Sequence, residues 1–321
     1  MSKPQVLVAC VVFPEVLDAL RGHFEVQAIA EGEVWHQQDF VQRLAGKQGA
    51  FITGAHRIDA QALAAAPELK IVANMSVGYN NLDVAAMAAA GVVGTNTPDV
   101  LTETTADFGF ALLMAAARRM LEAEKFLRAG RWQRWRYDMF AGRDVHGSTL
   151  GILGMGRIGQ ALAQRGAWGF GMEVLYHNRH RLDARTEDLC KARYVGMHEL
   201  LAESDHLVLV LPYTPQAHHI IGAPELARMK PTATLVNIGR GGLVDEDALA
   251  QALADGRLAA AGLDVFEGEP RVNPALLALP NVVLSPHIAS ATVPTRLAMA
   301  RLAADNLISF FAGSGALTPV N

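Results

Sequence analysis

Three segments in the last third of the chain each close an apolar run on a side chain able to handle a proton or an anion. "NIGRGGLVDEDAL" presents Arg240 beside Gly241 and Gly242, "GLDVFEGEP" presents Glu269 before Pro270, and "LSPHIAS" presents His287 after Pro286. Reduction of a carbonyl by hydride needs a group that protonates the oxygen as the hydride arrives. An anionic substrate also needs a cationic anchor. Taken singly these residues are ordinary, because a lone His or Arg at a strand end is more often structural than catalytic. Their order along the chain, downstream of a glycine loop, is what makes them candidates. All three follow strands of one parallel sheet, so they emerge at its carboxyl edge, where α/β sites form.

The glycine loop lies in "TLGILGMGRIGQALAQRGAWGFGMEVLYHNRHR", which holds Gly154-x-Gly156-x-x-Gly159. An isolated G-x-G-x-x-G means little in a chain with 29 glycines. Here an apolar strand leads into it, a helix starts at its end, and a second strand, "MEVLY", follows at the right distance. Gly154 permits the tight turn, Gly156 lets the backbone approach a pyrophosphate, and Gly159 lets helix and strand pack closely. The candidate cofactor cradle is Gly154, Met155, Gly156, Arg157, Ile158 and Gly159, with the pyrophosphate at the positive end of the helix.

Selection between dinucleotides falls at the tip of that second strand, where an acidic side chain would bind both ribose hydroxyls of NAD. The stretch there is His177-Asn178-Arg179-His180-Arg181, and no carboxylate occurs before Asp183. A guanidinium binds a 2′-phosphate that a carboxylate would repel. The residues therefore point to NADP(H), with NAD(H) used less efficiently. Arg179 is the expected phosphate clamp, Arg181 or His180 its support, and Asn178 a further ribose or phosphate partner.

Strands and helices alternate around these motifs. "QVLVAC", "FEVQAIA", "GAFITG", "LKIVANM" and "GVVGTN" read as strands separated by Ala-rich helices. A second series runs from "TLGILG" through "MEVLYH", "ARYVG", "HLVLVLP", "ATLVNIG" and "AAAGLDVF" to "NVVLSP". Such alternation predicts two doubly wound parallel sheets. Between them, one long helical segment is expected from about Val100 through "LRAG". The last amphipathic helix, "VPTRLAMARLAADNLISFFAG", has no strand after it and is expected to pack back on the first domain. The expected domains are then residues 1–99 with 288–321, and residues 100–287 inserted between them.

Composition removes several function classes. The chain of 321 residues is 51% hydrophobic with a net charge of −4, which suits two globular cores and gives no basic field for nucleic acid. Its longest apolar run, "FGFALLMAAA", is about half of the roughly 20 residues that cross a bilayer. With no signal-type start, a soluble cytoplasmic protein without membrane contact is expected. The two cysteines, Cys10 and Cys190, read as reduced buried thiols. No metal is expected. His218 and His219 are adjacent, so their side chains should diverge, and no carboxylate or Cys companion stands beside them in sequence.

These segments together resemble the D-isomer-specific 2-hydroxyacid dehydrogenase family over essentially the full length, from "VGYNNLD" through "GILGMGRIG", "LVNIGRGGLVDEDAL" and "GLDVFEGEP" to "LSPHIASAT". "SVGYNN", "TPDVLTETTAD", "DVHGSTLGILGMGRIG" and "NRHR" resemble most the bacterial glyoxylate/hydroxypyruvate reductases whose branch also reduces 2-ketogluconate. The resemblance implies a Rossmann cofactor domain inserted into a flavodoxin-like substrate domain, and a homodimer built through the segment after residue 100. It implies an active site of Arg240, Glu269 and His287. Arg240 would hold the substrate carboxylate and polarise the keto oxygen, His287 would donate the proton, and Glu269 would orient the ring and favour its charged form. It also implies a backbone N–H cradle for the substrate at Val77 and Gly78. Thr104, Pro212, Ile238, Asp264 and Ser290, with Ala289, match cofactor-side positions, and Trp135, Met139 and Phe140 lie in the loop that approaches the partner subunit. The implied reaction is NADPH-preferring reduction of glyoxylate, hydroxypyruvate or 2-ketogluconate. Two other readings stay open on the same fold. One is NAD-dependent oxidation of phosphoglycerate, phosphite or formate, although formate enzymes carry Gln where Glu269 stands. The other is a dinucleotide-sensing, corepressor-like binding protein.

Overall fold

The computed structural model describes residues 3–321. The chain forms two compact units, one comprising the N-terminal part through Leu101 with Ala291–Asn321, the other Thr102–Ser290. In the first, strands and helices alternate as β1 (Gln5–Val8), α1 (Pro14–His23), β2 (Glu25–Ala28), α2 (Gln37–Leu44), β3 (Gly49–Ile52), α3 (Ala60–Ala65), β4 (Ile71–Asn74), α4 (Val84–Ala89) and β5 (Val93–Thr95). The five strands are all parallel in the order β2-β1-β3-β4-β5, the flavodoxin-like arrangement.

The second unit opens with α5 (Thr102–Ala117) and α6 (Met120–Arg128). It continues as β6 (Thr149–Leu153), α7 (Arg157–Gln164), β7 (Glu173–His177), α8 (Ala184–Cys190), β8 (Ala192–Tyr194), α9 (Met197–Glu203) and β9 (His206–Leu209). Then follow α10 (Ala223–Leu226), β10 (Thr234–Asn237), α11 (Glu246–Ala254), β11 (Ala260–Leu263), α12 (Pro274–Ala278) and β12 (Val282–Leu284). Its seven parallel strands run β12-β11-β10-β9-β6-β7-β8. Strand order reverses between β6 and β9, the switch point at which doubly wound sheets bind ligands. The expectation of two parallel α/β sheets is met.

The sequence reads as unbroken apolar runs because both faces of these strands are covered. All four residues of β9, of β10 and of β11 are buried. Leu200, Leu226, Leu249 and Leu253 cover one face, and Phe110, Leu113, Leu162 and Met172 the other. Helix starts are fixed by side-chain caps: Asp183 accepts from the Thr186 N–H and Asp245 from the Ala248 N–H. In the first unit α13 (Val293–Phe311) lays Ala300, Ala303, Ala304 and Leu307 against Val6, Val8 and Phe51. The buried Asn306 then accepts the Leu317 and Thr318 N–H groups at 2.9 Å each and ties the tail down.

The single long helix expected from Val100 to about Gly130 is two helices. Arg119 adopts the left-handed conformation (φ 54°), which ends α5 and starts α6, and it pairs with Glu122 through two bonds of 2.8 and 2.7 Å. The returning chain passes the end of α5, where the Arg143 N–H bonds the Ala117 carbonyl at 2.9 Å. Apolar periodicity continues through this break, so the sequence shows helix on both sides and not the joint. No helix among the described residues is long and apolar enough to cross a membrane.

Candidate active site

The glycine loop joins the carboxyl end of β6 to α7 at the switch point. Gly154 has φ +103°, and a methyl group there would lie 2.6 Å from the Leu211 nitrogen after β9. Only glycine fits both the backbone conformation and that approach. A methyl on Gly159 would lie 2.4 Å from the Gly154 carbonyl oxygen, so Gly159 closes the strand–helix packing. Gly156 differs: a methyl there meets nothing within 4 Å, and no side chain caps the helix that follows. Open space over the uncapped N–H groups of α7 suits a pyrophosphate. This gives an expected result. Gly156→Ala should fold with unchanged melting temperature yet weaken dinucleotide binding by about 1–3 kcal/mol, about 5- to 150-fold in Kd. Unchanged affinity by fluorescence titration would show that nothing approaches this backbone.

At the tip of β7 the basic stretch divides its labour. Arg179 is exposed and makes no ion pair among the described residues. Arg181 instead grips Glu187 through two bonds of 2.8 and 2.7 Å, and Glu187 also accepts from the Tyr176 hydroxyl at 2.6 Å. These donors hold the Glu187 carboxyl below its usual range, and burial with the neighbouring Glu187 pushes the Tyr176 phenol up to about 12. A carboxylate beyond Asp183 thus reaches this corner from α8, and Arg181, one of the two expected supports of Arg179, is paired with it. Asn178 is also engaged, its Oδ1 accepting the Met155 N–H at 2.6 Å, which fixes the glycine loop to the strand tip.

Arg240, Glu269 and His287 follow β10, β11 and β12, three adjacent strands. The turn carrying Arg240 is bracketed by Asn237, which is buried. Asn237 Oδ1 accepts the Gly239 N–H at 3.0 Å, and its Nδ2 donates to the Arg240 carbonyl at 2.8 Å. Gly241 lets this turn lie against the next one, since a methyl there would fall 1.8 Å from the Phe266 carbonyl carbon. Glu269 Oε1 accepts the Phe266 N–H at 3.0 Å, and Oε2 meets His287 Nδ1 at 2.9 Å. Burial works to raise the Glu269 pKa. The hydrogen bonds from His287 and the Phe266 N–H, with the charges of His287 and Arg240, outweigh it and hold the carboxyl below its usual value. Desolvation draws the Arg240 guanidinium below its ordinary value, opposed by the charge of Glu269. The three groups therefore share one electrostatic environment.

His287 sits in the left-handed region (φ 53°), uncommon for a residue with a side chain. What holds it there is Asp264, which is fully buried. Its carboxylate accepts the Ile288 and Ala289 N–H groups at 2.8 Å each and the Ser285 hydroxyl at 2.7 Å, while its carbonyl accepts the His287 N–H at 2.8 Å. Asp264, expected beside the nicotinamide, is thus committed to the turn that carries His287. Ile238, expected there too, is buried with its side chain in the core, where a methyl on Gly109 would lie 2.7 Å from its Cδ1. Thr104 lies half-buried in the first turn of α5, Pro212 exposed after β9, and Ser290 half-buried after Ala289. Phe140 packs against Phe126 and under the Arg119 guanidinium, whereas Trp135 is 76% exposed. In the other unit, Val77 and Gly78 have their carbonyls tied to Asn96 and Asn74 at 2.9 and 3.1 Å, which orients that turn's backbone.

Residues 110–289 match the model of the NAD-binding domain of D-isomer specific 2-hydroxyacid dehydrogenases. The chain belongs to that family. It is 47% identical to the glyoxylate reductase of Thermococcus gammatolerans, covering 99% of this chain and 96% of that one. It is 46% identical to the glyoxylate reductase of Aeropyrum pernix, covering 98% and 94%. Among solved structures, an NADPH-dependent glyoxylate/hydroxypyruvate reductase of Sinorhizobium meliloti, crystallised with NADP and malonate, superposes with a TM-score of 0.89. It is 40% identical, and the match covers 99% of this chain and 97% of that one. A glyoxylate reductase of Paecilomyes thermophila gives 0.89 at 35% identity, covering 100% and 99%.

For this 2-hydroxyacid dehydrogenase family member, sequence reasoning missed Asn237 and the clamp made by Asp264. The signal was a polar residue at or just beyond the end of a largely apolar run, which must find partners once buried. It also missed a side-chain cluster. His218 and His219 do not diverge. Their rings stack with centroids 3.8 Å apart, and Glu267, 48 residues beyond His219, supplies a carboxylate that is absent from the neighbouring sequence.

Proposed function

We propose that this protein is an NADPH-preferring reductase of small 2-ketoacids, acting on glyoxylate and hydroxypyruvate, and on 2-ketogluconate as a larger substrate. The observation that carries the reading is the 2.9 Å contact between His287 and Glu269 at the carboxyl edge that also holds Arg240, in the sheet whose switch point carries the glycine loop. A nicotinamide, when bound, supplies the hydride. Arg240 holds the substrate carboxylate and draws charge from the keto oxygen through its donor fork. His287 gives its proton to that oxygen, and Glu269, bonded to Nδ1, leaves Nε2 as the nitrogen that exchanges it. Run backwards, the same imidazole takes the proton from the hydroxyl. In the other unit, the Val77 and Gly78 N–H groups are the proposed anion cradle. The unit Thr102–Ser290 is the cofactor domain in this reading and the other the substrate domain. Exposed Trp132, Trp135 and Tyr137 suit a homodimer through this segment.

The reading is tested by NADPH and NADH oxidation with glyoxylate, hydroxypyruvate and 2-ketogluconate. Turnover with none of them would overturn it in favour of a sensor. For the cofactor, Arg179→Glu should lower kcat/KM with NADPH by about 10- to 100-fold, the worth of one charged hydrogen bond, and change it little with NADH. Equal losses with both cofactors would remove Arg179 from the phosphate site.

A further inference from the structure

Beside the Arg240 turn lies a group of side chains that the proposed reaction does not use. His218, His219 and Glu267 bring one ligand atom each to within 4.8 Å of one another. His219 Nε2 lies 2.7 Å from Glu267 Oε2, and His218 Nε2 lies 3.9 Å from Oε1. The stacked rings, tilted by 23°, aim both Nε2 atoms at the same carboxylate. We propose that these three side chains bind one divalent ion of the zinc, cobalt or nickel class.

The ligand chemistry sets the class. Two imidazoles and one carboxylate suit a borderline transition ion and not calcium or magnesium, which take oxygen ligands. Three protein ligands also leave one tetrahedral position for water. The arrangement is built by distant parts of the chain. His219 holds a left-handed backbone (φ 52°), and its N–H bonds the Gly242 carbonyl at 2.8 Å. The Ile221 N–H bonds Leu243, so this strap is laced to the turn after Arg240. The Glu267 N–H is bonded at 2.7 Å to the carboxylate of the largely buried Glu246, which fixes the third ligand's backbone. His218 carries an outer partner of the kind metal-bound histidines use: its Nδ1 lies 3.3 Å from the Tyr213 hydroxyl. With Nδ1–H donated to that oxygen, Nε2 carries the lone pair. Entry of the ion breaks the His219–Glu267 contact, which is half-exposed and of small worth alone.

The test uses the full chain without an affinity tag, stripped with chelator and titrated with Co²⁺, read by visible absorption, then with Zn²⁺ as competitor. One cobalt per chain with a tetrahedral spectrum, displaced by zinc, is the expected result. His218→Ala and Glu267→Gln should each weaken binding at least about tenfold, the loss that removal of even an outer partner brings. His219→Asn, which tolerates the left-handed backbone, should do the same while keeping the melting temperature of the parent. At one fixed zinc concentration the melting temperature of the parent should rise more than that of the variants. Absence of a tetrahedral cobalt spectrum at millimolar ion would overturn the site. So would equal binding by the parent and a His218→Ala/Glu267→Gln double variant, since the ion would then sit on other histidines. Neither readout depends on turnover.

Discussion

In the proposed reaction, His287→Asn should leave a folded protein that still binds NADPH but reduces glyoxylate about 100- to 10,000-fold more slowly, the usual loss when a positioned proton donor is removed. Asn is the informative replacement. Position 287 has φ 53°, and Asn tolerates that backbone better than Ala, so the turn survives the change. The amide still bonds Glu269 but has no proton to give at neutral pH. NADPH affinity, read by fluorescence, should stay within about tenfold, because a lost hydrogen bond of uncharged strength is the most that His287 would contribute to the cofactor. Stopped-flow measurement of the first turnover separates the chemical step from product release. A loss smaller than about tenfold in that step would move proton donation to another group. An equal loss in cofactor affinity would make His287 a binding residue.

Much of this was legible in the chain because it rests on local pattern. Apolar runs such as "HLVLVL" and "ATLVN" are the buried parallel strands β9 and β10. Parallel strands in one sheet deliver their following residues to one edge, so the convergence of Arg240, Glu269 and His287 follows from order alone. The glycine spacing was legible for a similar reason, since Gly154 and Gly159 each answer a contact within that single strand–turn–helix unit or with the adjacent strand's exit. What stayed hidden depends on partners far apart in sequence. Arg181 finds Glu187 only once α8 has folded over the tip of β7. His219 meets Glu267 only after β9 and β11 have taken places on either side of β10. The break at Arg119 was hidden because both flanking helices keep their own apolar face, and a single left-handed residue leaves no trace in that periodicity.

Asp264→Asn is the second large effect expected, and it distinguishes two roles for one residue. In the wild-type protein every donor facing the carboxylate is an N–H or O–H: those of Ile288, Ala289 and Ser285. The amide has the same shape but turns one acceptor into a donor. One or more of these groups then loses its partner in a fully buried site, at a cost of about 1–3 kcal/mol. At about 2–4 °C per kcal/mol for a unit of this size, the melting temperature should fall by about 2–12 °C. The turn from Ser285 to Ala289 loses the clamp that keeps His287 in its left-handed conformation. A displacement of about 1 Å at a reacting group costs about 100-fold in rate, so kcat should fall by that order. If Asp264 served chiefly to bind the nicotinamide, the loss would appear in NADPH affinity with the first-turnover rate at saturating cofactor preserved. Because both carboxylate oxygens are already committed to the His287 turn, the loss is expected in the rate, with NADPH affinity nearly unchanged. Ser285→Ala removes only one of the three donors and leaves none unpaired. It should therefore reproduce the rate defect weakly and the thermal defect hardly at all, which a residue acting directly on the cofactor would not predict.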